Sequence, residues 1–304
     1  MSAISRQFSG IWVPVATPFN AEQTVDHEAL KKLVQMLAAS GIAGLVVCGT
    51  TGEPATLSEQ EKVDVLQTVL SHCDDLPVVM GITGIAPTEV CRQIEHWQQW
   101  PIAGFLLPPP YYIRPAQPGI VEFYRVAAST SRLPIIAYDI PYRTGVELTL
   151  DTLLTLAGID NIVAIKDCGG DARKTQALIA DGRLQVLAGE DHLIFTTICQ
   201  GGSGAIAASA HLHPRLFVAM HRAIGNGQLD DARRLHHLLA PMIDALFVEP
   251  NPALVKAVLA SLGYLQKDLR APLSAASEQA AQRAIAAYKV VMKLLVIKSA
   301  SSIA

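Results

Sequence analysis

Short apolar runs alternate with amphipathic segments along most of the chain. Eight runs rich in β-branched residues recur at spacings of roughly two to three dozen residues, the rhythm of repeated strand–helix units. They cover residues 11–17, 44–49, 78–83, 104–107, 134–139, 162–166, 184–189 and 204–208. Because most of these runs are apolar without strict alternation, they predict parallel strands that are buried on both faces.

The segments between these runs have the apolar spacing of helices. Clear examples are residues 26–39, 58–71, 87–98 and 117–131. Ser58 followed by Glu61 forms the S-x-x-E pattern of a capping box, which marks a helix start shortly after the second strand. Eight strand–helix units in about 225 residues are typical of an α/β fold of the (β/α)8 TIM-barrel type.

A doubly wound sheet is the alternative α/β architecture. It would more often have about five or six strands and a Gly-rich turn after the first strand. At that place this chain reads Ala-Thr-Pro-Phe, residues 16–19. The residues after the eighth run read as further helices with a Pro-rich break at residues 247–252, FVEPNP. We therefore predict a barrel domain over residues 1–225 and a helical extension over residues 226–304 packed on the barrel.

Composition narrows the range of functions. The chain has 304 residues with 24 Lys and Arg against 27 Asp and Glu, so it lacks the basic excess of a nucleic-acid-binding protein. Charged residues make up 17%, and this low share favours further surface burial in a homo-oligomer. No apolar run reaches the roughly 20 residues of a membrane-spanning helix. The scattered cysteines and the absence of a secretory-signal pattern in residues 1–10 predict a cytoplasmic protein.

Lys166 is the most informative residue for chemistry, because it ends the apolar run that begins at residue 162. A lysine at the end of a barrel strand points into the barrel mouth, where burial disfavours the ammonium form and leaves an amine that can attack carbonyls. The alternative is a lysine that only pairs with Asp167 or Asp171. Tyr138 ends the preceding run, so its phenol should lie on the adjacent strand and could move protons there. A packing role for the tyrosine is the alternative.

Two further motifs follow predicted strand ends. Residues 49–53 read Gly-Thr-Thr-Gly-Glu, and hydroxyls between glycines with open backbone N–H groups suit a carboxylate or a phosphate. A plain turn is the alternative. Arg143, within residues 141–145 (PYRTG), suits bidentate capture of a substrate carboxylate. A surface ion pair is the alternative for this arginine.

Three other groups are weaker candidates. His211 and His213 form an H-x-H pair, but no carboxylate cluster accompanies them, so we expect no metal. Residues 190–192 (EDH) lie where a helix should begin, and acids at that place favour the helix dipole. Cys168 is close to Lys166 in sequence but has no evident partner histidine, so we expect it to be a bystander.

Taken together, these motifs resemble the dihydrodipicolinate synthase / N-acetylneuraminate lyase family of Schiff-base aldolases. The matching segments are residues 49–57 (GTTGEPATL), 110–112 (PYY), 138–141 (YDIP), 165–167 (IKD), 201–206 (GGSGAI) and 247–252 (FVEPNP). They occur in the family's order and span nearly the whole chain, so the combination is specific to the family.

The resemblance implies a reaction in which Lys166 forms an imine with pyruvate. Loss of a methyl proton then gives an enamine, which attacks an aldehyde. Tyr138, Thr50 and Tyr112 would form a proton relay. The family is also a homotetramer, a dimer of dimers, in which Tyr112 would reach into the site of a neighbouring subunit.

The same resemblance implies the substrate-binding residues. Thr51 would bind the carboxylate of pyruvate, and Arg143 would bind the carboxylate of the aldehyde substrate. Gly189 and Ile206 would line the pyruvate pocket. No metal and no organic cofactor is implied, because the lysine itself serves as the electron sink.

The branch within the family is the remaining question. The Arg-Thr-Gly form at residues 143–145 and the FVEPNP segment resemble the branch that condenses pyruvate with L-aspartate 4-semialdehyde in lysine and diaminopimelate biosynthesis. Three residues depart from that branch: Pro54 in place of Ser or Ala, Asp139 in place of Asn, and Tyr142 in place of a small residue. Tyr142 could reshape the aldehyde pocket. An aldolase acting on a 2-keto-3-deoxy sugar acid and a non-catalytic keto-acid-binding homologue therefore stay as alternatives.

The resemblance also bears on feedback inhibition by lysine. Lysine-sensitive relatives have His, His and Asn at positions where this chain has Glu59, Lys62 and Ile85. We therefore predict weak or absent inhibition by lysine.

Overall fold

The computed structural model describes residues 7–301, with side chains described as far as residue 294. Most of the segment from which the missing secretory signal was inferred, residues 1–6, lies outside the described residues. Among the described residues, no helix combines the length and the apolar character needed to cross a membrane.

Eight parallel strands close into a barrel in sequence order, and the last strand pairs with the first. The strands are β1 Gly10–Pro14, β2 Gly44–Val47, β3 Val78–Gly81, β4 Gly104–Leu107, β5 Ile135–Asp139, β6 Ile162–Asp167, β7 Gln185–Ala188 and β8 Gly204–Ile206. Each coincides with a run predicted from the sequence, which confirms the (β/α)8 barrel. Buried faces on both sides of the strands explain why the runs lack alternation.

Helices follow the strands along the chain, and further helices come after the eighth strand. They are α1 His27–Ala38, α2 Glu59–Leu70, α3 Pro87–Trp97, α4 Gln117–Thr130, α5 Pro141–Thr144, α6 Leu150–Leu156, α7 Ala172–Asp181, α8 Ile194–Cys199, α9 Pro214–Gly225, α10 Leu229–Leu246, α11 Ala253–Ser261 and α12 Glu278–Ser301. The predicted capping box is present at α2. Ser58 Oγ accepts a hydrogen bond from the Glu61 backbone N at 3.2 Å, and Glu61 Oε2 accepts one from the Ser58 backbone N at 2.9 Å.

The structure divides into two compact units, each assembled from separate stretches of the chain. The first unit contains residues 7–14, 42–49 and 75–207, and so holds all eight strands. The second contains residues 15–41, 50–74 and 208–301, including α1, α2 and α9 to α12. Because these units are discontinuous in sequence, they do not test a boundary drawn between residues 225 and 226, which stays a prediction.

The interior of the barrel, within the first unit, is an apolar cluster that reaches the carboxyl ends of the strands. Its members are Phe8, Trp12, Val46, Val79, Leu106, Ile136, Tyr138, Ile140, Ala164, Cys168, Leu187 and Ile206. Closure of the barrel requires a glycine at position 204, since a Cβ there would lie 1.9 Å from the carbonyl oxygen of Gly10. The barrel is thus a filled core, and the chemistry can lie only at its ends.

Candidate active site

Lys166 and Tyr138 meet at the carboxyl ends of two adjacent strands. Tyr138 on β5 is the register partner of Lys166 on β6, and the Lys166 Nζ donates a hydrogen bond to the Tyr138 Oη at 3.3 Å. The same nitrogen lies 4.4 Å from the centroid of the Tyr138 ring. The two residues are 7% and 5% exposed, so both functional groups are largely withdrawn from water. The structure therefore brings together the two residues that the sequence places at neighbouring strand ends.

The acids next to Lys166 in sequence are held by other groups. Asp167 Oδ2 accepts a hydrogen bond from Thr175 Oγ1 at 2.6 Å, and its Oδ1 accepts one from the Gly169 backbone N at 2.9 Å. Asp171 caps α7, where its Oδ1 accepts from the backbone N of Arg173 at 2.9 Å. These contacts disfavour the interpretation that Lys166 merely pairs with a neighbouring carboxylate.

Gly189 and Ile206 stand beside this pair. The backbone N of Gly189 donates to the carbonyl oxygen of Asp167 at 2.9 Å. A Cβ on Gly189 would lie 3.0 Å from Lys166 Cγ and 2.3 Å from Cys168 Sγ, so only glycine allows β7 to approach the lysine this closely. Ile206 is 1% exposed and packs in the same apolar cluster as Tyr138. Their assignment to a pyruvate pocket stays a prediction.

Cys168 has the environment of an unreactive thiol. Burial, together with the nearby Glu190 carboxylate, raises the pKa of Cys168 well above its usual value, against the opposing influence of Lys166. A thiol that stays protonated is a poor nucleophile. This environment agrees with the expectation that Cys168 does not react.

Asp139 is part of a buried charge network that sequence analysis did not detect. Its side chain is completely buried, its Oδ2 accepts a hydrogen bond from Lys174 Nζ at 2.8 Å, and its Oδ1 accepts one from the Leu148 backbone N at 3.0 Å. Lys174 Nζ also reaches Glu147 Oε1 at 2.8 Å. Burial raises the pKa of Asp139 despite the lysine. Burial alone would lower the pKa of Lys174, but its hydrogen bonds to Asp139 and Glu147 outweigh that effect and leave it raised.

This network explains one departure from the family pattern. The acid at position 139 directly follows Tyr138, and its carbonyl oxygen accepts a hydrogen bond from the Cys168 backbone N at 2.8 Å. Lys174 supplies the positive charge that a buried acid requires at this place. A lysine within an amphipathic helix resembles a solvated residue in the sequence, so the pairing becomes visible only in three dimensions.

The rim above the barrel carries Arg143 and Tyr142 on α5. Arg143 is exposed, with its Cζ 5.8 Å from the centroid of the Tyr142 ring. Tyr142 Oη donates a hydrogen bond to Glu190 Oε1 at 2.9 Å. The expected helix start is present, since Glu190 is the N-cap of the short 3-10 turn Asp191–Leu193, but its side chain makes no capping hydrogen bond and instead binds the tyrosine.

Tyr112 lies on the surface. It is 85% exposed, with a backbone φ of 70°, and its backbone N donates to the carbonyl oxygen of Thr144 at 3.1 Å. Tyr111 and Ile113 beside it are also exposed, at 39% and 56%. An exposed aromatic segment of this kind is available to another protein surface. Its predicted role in a neighbouring site is not tested within one chain.

In the second unit, Thr50 and Thr51 form a short 3-10 turn over Thr50–Gly52. Thr51 is 2% exposed, and its Oγ1 accepts a hydrogen bond from Asn251 Nδ2 at 2.8 Å. Asn251 belongs to the FVEPNP segment, 200 residues further along the chain. Sequence analysis used that segment for the resemblance but did not identify this contact.

A buried ion pair lies at the end of the same motif. Lys256 Nζ is 2.6 Å from Glu53 Oε1, and both side chains are completely buried. The same nitrogen donates to the carbonyl oxygen of Asp268 at 2.8 Å and lies 4.3 Å from the centroid of the Phe19 ring. Burial raises the pKa of Glu53 and lowers the pKa of Lys256, because both charged forms lose water. This pair fixes the Glu53 end of the Gly-Thr-Thr-Gly-Glu motif.

The histidine pair has structural roles. His211 is buried, its Nε2 accepts a hydrogen bond from the Ala16 backbone N at 3.1 Å, and its Nδ1 contacts the carbonyl oxygen of Ala208 at 2.8 Å. Burial lowers the pKa of His211 to about 4. His213 stacks on Tyr288 with the ring centroids 4.3 Å apart. Within the described residues, no group of three or more His, Cys, Asp or Glu side chains is arranged to hold a metal ion.

A barrel with a buried lysine against a phenol at the strand ends defines the class of lysine-dependent barrel aldolases. The chain belongs to the dihydrodipicolinate synthetase family, whose model matches residues 7–290. This finding confirms the resemblance seen in the sequence.

Individual relatives agree with this membership. The chain is 38% identical to a 4-hydroxy-tetrahydrodipicolinate synthase of Methanothrix thermoacetophila over 275 residues, covering 90% of this chain and 93% of the relative. A dihydrodipicolinate synthase of Acinetobacter baumannii, solved with pyruvate, superposes with a TM-score of 0.90 at 31% identity, covering 93% of this chain and 98% of that one. A monomeric dihydrodipicolinate synthase variant superposes with a TM-score of 0.90 at 29% identity, covering 94% and 97%.

Proposed function

We propose that this chain is a lyase that condenses pyruvate with L-aspartate 4-semialdehyde to 4-hydroxy-tetrahydrodipicolinate, a step of lysine and diaminopimelate biosynthesis. The observation that carries the proposal is the buried contact of 3.3 Å between Lys166 Nζ and Tyr138 Oη in the barrel. Family membership and the names of the relatives give the substrates.

The chemistry follows from a nucleophilic amine beside a phenol. Lys166 Nζ attacks the keto carbon of pyruvate, and loss of water leaves an iminium. A methyl proton then leaves, and the resulting enamine carbon forms a bond to the aldehyde carbon, whose oxygen takes up a proton. The amino group of the second substrate finally attacks the iminium carbon and displaces Lys166. The Tyr138 hydroxyl is hydrogen-bonded to the reacting nitrogen at 3.3 Å and carries protons in these steps.

The other roles in this proposal come from the family resemblance. Thr51 binds the carboxylate of pyruvate, and Thr50 passes protons together with Tyr138. Arg143 binds the carboxylate of the aldehyde substrate through its planar guanidinium. The lysine acts as the electron sink, so the reaction uses neither a metal nor an organic cofactor. A chelator should therefore leave the rate unchanged, and loss of activity with chelator would contradict this part.

The proposal includes a cytoplasmic homotetramer in which Tyr112 enters the site of a neighbouring subunit. Its 85% exposure and the exposed Tyr111 and Ile113 support an interface at this segment. Light scattering of the purified chain should give a tetramer. Tyr112→Glu should release smaller species with reduced activity, whereas Lys289→Glu on α12 serves as a matched control. A fully active monomer would contradict this assembly.

Reductive trapping tests the central step. Borohydride with pyruvate should add a pyruvate-derived mass to the peptide that contains Lys166, and Lys166→Arg should abolish the adduct. A wild-type chain without adduct would exclude every aldolase interpretation. A coupled assay then compares L-aspartate 4-semialdehyde with 2-keto-3-deoxy sugar acids. Turnover of a sugar acid alone would favour the alternative aldolase, and an adduct without any turnover would favour a keto-acid-binding homologue.

A further inference from the structure

A carboxylate and the proposed aldehyde-binding arginine both contact Tyr142 at the barrel rim. Tyr142 is on α5, directly after β5, and Glu190 follows β7. In the barrel β6 lies between β5 and β7. The hydrogen bond of 2.9 Å from Tyr142 Oη to Glu190 Oε1 therefore spans the carboxyl end of the strand that carries Lys166.

One protonated donor, the Tyr142 hydroxyl, holds the Glu190 carboxylate in place. Partial removal of its hydroxyl from water raises the pKa of Tyr142, and the nearby Glu190 carboxylate adds to this effect, so the phenol keeps its proton at neutral pH. The nearby Cys168 thiol stays protonated because it is buried, so it adds no negative charge beside Glu190. A carboxylate has about four lone-pair sites, so one donor leaves acceptor capacity for a ligand.

The backbone next to Glu190 is close to the reacting lysine. Gly189 directly precedes Glu190, and a Cβ on Gly189 would lie 3.0 Å from Lys166 Cγ. The Glu190 side chain is only partly buried, so it is accessible from the mouth. Arg143 lies over the Tyr142 ring, with its Cζ 5.8 Å from the ring centroid. The rim thus presents a cation and an anion that both contact one tyrosine.

We propose that Glu190 is a specificity-determining residue that binds the ammonium group of the aldehyde substrate, with Tyr142 as its positioning residue. This inference rests on the proposed function. It assigns a partner to the ammonium group of the aldehyde substrate, in addition to the carboxylate that Arg143 binds. The substrate class is an aldehyde that carries both a carboxylate and an ammonium group. A carboxylate held by a hydroxyl donor binds a cation at a smaller cost of ordering, and it repels a second anionic group placed at the same point.

A positioning role of Tyr142 and a purely steric role lead to different substrate preferences. A tyrosine at the rim occupies space, which would disfavour every aldehyde according to its length. A tyrosine that fixes Glu190 instead favours cationic aldehydes selectively. Tyr142→Phe keeps the ring and its contact with Arg143 but removes the hydrogen bond, so this variant distinguishes the two roles.

The test compares two aldehydes that differ only in the amino group, L-aspartate 4-semialdehyde and succinate semialdehyde. Single-turnover formation of the carbon–carbon bond with the pyruvate-loaded enzyme is quantified by mass spectrometry after quenching, so ring closure does not affect the comparison. Glu190→Gln keeps the shape and an acceptor for Tyr142 but removes the charge. It should lower kcat/KM for aspartate semialdehyde by about 10- to 100-fold and leave succinate semialdehyde unchanged.

Two further variants complete the design. Tyr142→Phe should lower kcat/KM for aspartate semialdehyde by about 3- to 10-fold, again without effect on succinate semialdehyde. Glu122→Gln removes an exposed carboxylate on α4 and should change neither rate. Borohydride trapping with pyruvate verifies that every variant folds and still forms the imine.

The outcomes separate this inference from the proposed function. Equal losses for both aldehydes, or no loss with Glu190→Gln, would overturn the ammonium-binding role while wild-type condensation still supports the proposed function. A wild-type enzyme that traps pyruvate but condenses neither semialdehyde would overturn the proposed function itself. A loss confined to the amino-bearing aldehyde supports both.

Discussion

Replacing Lys174 with methionine should strongly destabilise the protein. The substitution keeps the length of the side chain and removes the charge 2.8 Å from Asp139 Oδ2. Asp139 is completely buried, so its carboxylate would keep only the hydrogen bond from the Leu148 backbone N at 3.0 Å. Breaking a buried pair in this way costs about 3–5 kcal/mol, because one charge stays buried without compensation. For a chain of this size we expect the melting temperature to fall by roughly 5–15 °C.

The loss of stability in Lys174→Met should change with pH in a defined direction, whereas the loss caused by a simple packing defect should not. Burial already raises the pKa of Asp139 with Lys174 present, and removing the lysine raises it further. In the unfolded chain an aspartate has a pKa of about 3.9. An acid whose pKa is higher in the folded than in the unfolded chain contributes stability below its unfolded-state pKa. That stability is lost as the pH rises through its folded-state pKa. The deficit of Lys174→Met should therefore be small near pH 4 and grow toward neutral pH.

Guanidinium denaturation followed by tryptophan fluorescence, at pH 4.5 and 7.5, measures how much the free energy of unfolding falls in Lys174→Met. Asp139→Asn removes the buried charge, so the double variant Asp139→Asn, Lys174→Met should recover all but about 1 kcal/mol, the cost of an unpaired Leu148 carbonyl group. Glu147 needs no rescue because its side chain is 53% exposed. Equal deficits at both pH values, or a double variant as unstable as Lys174→Met alone, would refute this electrostatic account.

Three further predictions test other parts of the molecule. Arg143→Ala should reduce condensation with the semialdehyde by about 100-fold in a coupled assay and leave borohydride trapping of pyruvate intact, and equal losses in both would contradict its role. Hydrogen bonding to Arg270 lowers the pKa of Glu61 to about 2, so this contact stabilises the fold above about pH 4.5 and is lost as the pH falls toward 2. Arg270→Met should therefore lower the denaturation midpoint at pH 6 more than at pH 3, and the reverse order would be inconsistent with the pair. Lysine should not inhibit at sub-millimolar concentration in a dose–response assay, because Glu59 and Lys62 form an ion pair of 2.8 Å at two of the three feedback positions.

The sequence predicted the barrel because its strands are buried on both faces and therefore read as continuous apolar runs. The contact between Lys166 and Tyr138 could also be predicted, since parallel strands in sequence order place consecutive strand ends side by side. These predictions depend only on chain order and local pattern. They need no knowledge of which helices pack where.

The partners of the buried charged residues could not be predicted from the sequence in this way. Asp139 and Lys174 are 35 residues apart, and Glu53 and Lys256 are 203 residues apart. Neither separation has a helical or strand period, so no local pattern connects the members of a pair. The contact between Glu190 and Tyr142 was missed for a related reason, because the two residues lie 48 positions apart in the sequence. In the sequence, Lys256 is signalled only by its position within the apolar helix α11.

The buried lysines together support the choice of nucleophile. Among the described residues, three lysines are less than a tenth exposed: Lys166, Lys174 and Lys256. Lys174 and Lys256 lie 2.8 Å and 2.6 Å from carboxylates, which commit their protons to ion pairs. Lys166 is hydrogen-bonded to a phenol instead, while the adjacent Asp167 is held by a threonine hydroxyl and a backbone N–H group. Since a lysine held by a carboxylate is engaged in an ion pair, the one of these three lysines that contacts a phenol instead is the one suited to attack a carbonyl and form an imine.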